Sequence, residues 1–138
     1  MDPGQYTRRK LLKMCILTGV FGKYFVKNAI ANASLENTLT DKLLSIIHDK
    51  SSASELGHCY LCTVKGSHDI NKIVNDIYTS HQKKCEDIKI SSKNETKALV
   101  REMFSEDFKN GKIVNLDYWI LSETEVKICA LMHLLIKA

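Results

Sequence analysis

The sequence predicts a mainly α protein: a small helical domain of about five helices with one short β element near residues 112–120, preceded by an N-terminal signal segment. Three observations carry that reading. Apolar residues recur at three- and four-residue spacing through most of the chain, Ser-x-x-Glu patterns mark helix starts, and one stretch near the C-terminus is rich in β-branched and aromatic side chains. The 138 residues are 44% hydrophobic and 26% charged, a composition that suits one ordinary core. The expected organisation is a leader over residues 1–33 and a single helical domain over residues 34–138.

The leader comes first in the chain. Thr7, Arg8, Arg9, Lys10, Leu11, Leu12 and Lys13 precede the apolar run 14–22, and a stretch of small residues ends at Ala31, Asn32, Ala33 and Ser34. Basic, apolar and small segments in that order are the three parts of an export signal: charge holds the first inside, the second enters the translocation site, and small side chains fit the peptidase. Cleavage is expected after Ala33, with Ala31 and Ala33 as the small pair and Ser34 as the new terminus. Arg8, Arg9, Leu11, Leu12 and Lys13 resemble the twin-arginine consensus, with Thr and Leu in place of the commoner Ser and Phe. Lys23 and Lys27 cut the apolar run well short of the ~20 residues that a spanning helix needs. The same segment also reads as an amphipathic first helix packed on the domain or lying on a membrane.

A first helix is expected over 35–49, with Leu35, Leu39, Leu43, Leu44, Ile46 and Ile47 on its apolar face. Ser52 to Glu55 has the capping-box pattern and should open a second helix running to about residue 65, where Gly66 ends it. A third follows over 69–84 on Ile70, Ile73, Val74, Ile77 and Tyr78, and the polar run 83–94 reads as a loop. The fourth, over 95–109, should bury Leu99, Val100, Met103, Phe104 and Phe108, with Asn110 and Gly111 as its stop. Ile113, Val114, Leu116 and Trp119 to Leu121 suit a short extended pair. Ser122 to Glu125 forms a second capping box, Leu121 can staple onto Val126, and the last helix should run from 123 to about 136. That helix is apolar around much of its circumference, which places it at the centre of the core or in a subunit interface.

Charge narrows the function classes. The chain carries a net +4, but Arg8, Arg9, Lys10, Lys13, Lys23 and Lys27 against Asp2 give residues 1–33 a net +5, leaving −1 for the remainder. A domain so balanced lacks the one-sided positive field that phosphate binding needs, so no nucleic-acid partner is expected. No G-x-S-x-G, P-loop, G-x-G-x-x-G or H-E-x-x-H occurs, and none of the five histidines stands in a catalytic motif with a nucleophile, so no catalytic residue is assigned. Cys59-Tyr60-Leu61-Cys62 is followed by Thr63, which rules out a c-type haem attachment. No cofactor is expected. Buried thiols or one disulfide are the expectation for the cysteines, with a zinc cluster of Cys59, Cys62, His81 and Cys85 as the alternative. Tyr118 and Trp119 are the candidate interface residues, Trp119 doubling as a core anchor.

The leader, the segment Leu56-Gly57-His58-Cys59-Tyr60-Leu61 and the segment from Trp119 to Glu125 together give a resemblance. The chain resembles the small, signal-bearing subunit of membrane-bound flavin dehydrogenases of the gluconate, sorbitol and fructose type, and related uncharacterised exported bacterial proteins. That resemblance implies a non-catalytic accessory subunit that escorts or stabilises a periplasmic or membrane-bound oxidoreductase. Its partners would be the twin-arginine translocation machinery and a larger redox protein subunit, with no permanent membrane span. Two other readings stand beside it: a periplasmic zinc-binding protein using the Cys/His cluster, and a cytoplasmic helical interaction module with an amphipathic first helix.

Overall fold

The computed structural model describes residues 35–66 and 68–137; Arg8, Arg9, Leu11, Leu12, Lys13, Cys15, Ala31, Ala33 and Ser34 lie outside them. Among the described residues the order is α1 (Leu35–Ser45), α2 (Lys50–Thr63), α3 (Ile70–Ser80), α4 (Gln82–Ile90), α5 (Lys93–Lys109), β1 (Ile113–Leu116), β2 (Trp119–Ser122) and α6 (Glu123–Lys137). The chain is mainly helical with one short antiparallel pair, the class its periodicity predicts. None of these helices is long and apolar enough to cross a membrane.

Helices begin where an oxygen meets the backbone N–H groups that a first turn leaves open. Asp49 opens α2 by accepting from Ser52 N at 3.0 Å, so the expected start at Ser52 lies inside the helix. Asp69 does the same for α3 through Asn71 N. Ser92 and Glu95 form a complete capping box for α5, two residues ahead of the expected start. Ser122 Oγ accepts from Glu125 N at 2.9 Å, as the second capping pattern predicts.

The larger departure is at residues 81–90. The third helix stops at Ser80 because His81 leaves helical geometry (φ −137°, ψ 47°), and the polar run expected to be a loop forms α4. Only Cys85 and Ile88 of α4 are buried, one turn apart. That two-residue stripe suffices because tertiary packing, not propensity, holds so short a helix.

α6 runs through the centre. Its residues from Thr124 to His133 are all buried. Leu131 and Met132 join Leu43, Ile47, Ile77, Val100 and Met103 in the main core, each full burial contributing roughly 1.5–3 kcal/mol. α2 crosses α6 at Gly57, where a Cβ would stand 2.1 Å from Cys129 O and 2.7 Å from Ala130 N. No side chain larger than hydrogen fits there, so this glycine sets the approach of the two helices. Beside the core, Leu116, Leu121 and Val126 form a second cluster in which the staple between Leu121 and Val126 is realised.

The strands pair in register Ile113 with Ser122, Val114 with Leu121, Asn115 with Ile120 and Leu116 with Trp119. α5 ends in a Schellman turn: Gly111 N donates to Phe108 O and Lys112 N to Asp107 O, with Gly111 at φ +71°. Asp117 (φ 43°) and Tyr118 (φ 73°) make the two-residue turn between the strands, both left-handed as a type I′ hairpin requires.

Candidate functional site

The hairpin sorts its side chains by face. Val114, Leu116, Trp119 and Leu121 share one face and pack on Val126, Leu56 and Tyr60. Ile113 and Ile120 lie on the other and are about half exposed, at 47% and 49%. Tyr118 at the tip is fully exposed. The two interface candidates therefore separate: Trp119 is a half-buried anchor that fixes the hairpin to the body, while Tyr118 stands alone in solvent. A bulky L residue in the left-handed region costs about 1 kcal/mol, and Gly, Asn or Asp fill such turns more cheaply. Tyr118 thus combines backbone strain with no packing return from its own chain.

The four residues of the alternative zinc cluster are not gathered. Cys59 and Cys62 are exposed on α2, whereas His81 and Cys85 are buried at the α3–α4 junction and in α4. The His81 ring is engaged by carboxylates, and the Cys85 thiol faces Ile77 O at 3.9 Å. Burial pushes the Cys85 thiol up to about 11, which keeps it protonated and poorly suited to bind a cation. Among the described residues no group of three or more His, Cys, Asp and Glu side chains is assembled to hold a metal ion.

A buried polar network, not among the sites expected from the sequence, surrounds His81. Its Nε2 lies 3.0 Å from Asp107 Oδ1 and 3.1 Å from Thr124 Oγ1, and its Nδ1 lies 3.2 Å from Glu106 Oε2. Asp107 Oδ2 accepts from Thr124 N at 2.8 Å, filling an open donor in the first turn of α6. Lys84 of α4 pairs with Glu106, and that hydrogen bond, ahead of His81, holds the Glu106 carboxyl below the usual range. One junction, one helix end and one helix start are thereby joined. The signal was available: Asp107 continues the apolar positions Val100, Met103 and Phe104, and a carboxylate on that face must find partners.

Hydroxyl, imidazole and carboxylate in the order Thr124, His81, Glu106 match the layout of a hydrolytic triad. The surroundings do not favour that use. Thr124 is 3% exposed, its backbone N–H is bound to Asp107, and the same imidazole nitrogen that would take its proton already faces the Asp107 carboxylate. In this arrangement the network ties helices together and presents no nucleophile to solvent.

Compared with protein-family models, curated proteins and solved structures, the chain gives no significant match to any of them.

Proposed function

We propose that this chain is an exported, non-catalytic accessory subunit that escorts or stabilises a periplasmic or membrane-bound oxidoreductase, docking on its larger partner through the tip of the β-hairpin. The observation that carries the docking half is Tyr118, fully exposed and held in left-handed backbone between two paired strands. Strain kept at an exposed position without internal compensation is a mark of use, and tyrosine supplies a large anchor at low entropic cost. Ile113 and Ile120 would widen the contact on the outer face of the hairpin. Export rests on the arginine pair Arg8 and Arg9 and the small residues Ala31 and Ala33. The twin-arginine route carries folded cargo, so a small chain without a cofactor motif travels to best purpose bound to a partner that holds one.

A photo-crosslinking residue placed at position 118 of the full chain tests this in cells. A discrete adduct with a redox subunit in the exported fraction is the expected result. Absence of any adduct at 118, with adducts instead from a control position on α5, would overturn the hairpin as the docking element.

A further inference from the structure

The crossing of α2 and α6 carries two imidazoles that the proposed docking surface does not use. His58 of α2 follows Gly57, where the two backbones meet, and His133 of α6 lies one turn beyond Cys129, whose carbonyl a Cβ on Gly57 would strike. Their rings face each other with centroids 4.8 Å apart and planes tilted by 36°. His133 is buried and held by Ser54 of α2, whose Oγ lies 3.1 Å from its Nδ1. His58 is open to solvent, with Cys62 Sγ 3.7 Å from its Nε2. The charged groups bearing on the His133 ring are Lys137 of its own helix and His58 across the crossing, both positive when protonated. Burial first, then Lys137 and His58, hold its proton affinity below the ordinary 6.5, outweighing a hydrogen bond with the Ser54 backbone that favours the proton.

We propose that His58 and His133 form an acid-sensitive latch between α2 and α6, closed while the two facing rings are neutral and loosened when both carry a proton. Neutral rings at this spacing attract as any offset aromatic pair does. Two imidazolium charges there repel, and Lys137 adds a third positive charge where a counter-ion would be needed. The helices already touch through their backbones at Gly57, so they cannot slide closer to replace the lost ring contact, and relief comes by separation. His133 holds its proton more weakly in the folded chain than in the unfolded one. Stability is therefore full above about 6.5 and falls as pH drops below it. That is the range in which unperturbed imidazole changes charge. α2 also supplies Leu56 and Tyr60 to the cluster beneath the hairpin, so the latch lies on an element that supports the docking face. It stands whether or not that face docks.

The test is an NMR titration of the imidazole protons of the full chain between about pH 8 and about pH 5, with denaturant unfolding at both ends. His133 should titrate below 6.5. His58→Gln, a change at an exposed position that should leave the helical circular dichroism intact, should move the His133 midpoint upward because a like charge is gone. The parent should also lose more stability on acidification than either His58→Gln or His133→Gln. Amide exchange over residues 54–62, corrected for its intrinsic rate, should quicken in acid more in the parent than in His58→Gln. An unmoved His133 midpoint in His58→Gln, or the same acid loss of stability in that variant and the parent, would overturn the latch.

Discussion

The last helix and the hairpin before it are neighbours in sequence and opposites in burial. From Thr124 to His133 every residue of α6 is buried, polar ones included, while the hairpin leaves Ile113, Ile120 and the whole of Tyr118 in solvent. Several buried polar groups of α6 have partners from other elements: Thr124 N has Asp107, Thr124 Oγ1 has His81, and His133 has Ser54. The hairpin buries one apolar face and leaves the other uncovered. Burial of those polar groups is thus explained by the fold, whereas exposure at the hairpin tip works against folding and points outward.

That contrast is sharpest where a polar group of the buried region is removed. Asp107→Ala strips His81 of a carboxylate partner and Thr124 N of its acceptor, and should cost about 3–5 kcal/mol in denaturant unfolding. A loss below about 1 kcal/mol would mean that water or Glu106 takes over its roles. Gly57→Ala should cost about 3 kcal/mol, near the top of the usual overpacking range, because its Cβ meets backbone and not a side chain that can move. Both variants should leave the hairpin turn unaltered.

Acid–base behaviour separates the regions next. The folded state keeps the Cys85 thiol protonated to about pH 11, against an ordinary 9.0, because of burial. The raised folded value means its contribution is full below pH 9 and is lost as pH rises toward 11, by about 2–3 kcal/mol at most. Unfolding measured across that window should show the decline, and Cys85→Ala should flatten it. The smallest effect should be at the tip. Tyr118→Gly relieves left-handed strain and should raise stability by about 0.5–1 kcal/mol while abolishing the partner adduct from a photo-crosslinking residue moved to position 120. A variant destabilised like a core substitution would erase the distinction between the two regions.

Much of this was legible in sequence. The helical class, the hairpin stretch, the staple of Leu121 on Val126 and the central place of the last helix all follow from periodicity and capping chemistry. α4 was not legible, because Lys83, Lys84, Glu86, Asp87 and Lys89 dominate a segment whose apolar face is only Cys85 and Ile88. The start of α2 was misplaced because Asp49, Ser51, Ser52 and Ser54 are all competent caps, and only the folded chain selects Asp49. For the site, Tyr118 and Trp119 are adjacent in sequence, and nothing short of the strand register tells which one faces the body.

Export of a folded accessory chain is tested most directly by fractionating cells that express all 138 residues and measuring the intact mass of the product. A periplasmic species beginning at Ser34, lost when Arg8 and Arg9 are both replaced by lysine, is the predicted result. A full-length species confined to the cytoplasm would contradict export, and with it the escort role.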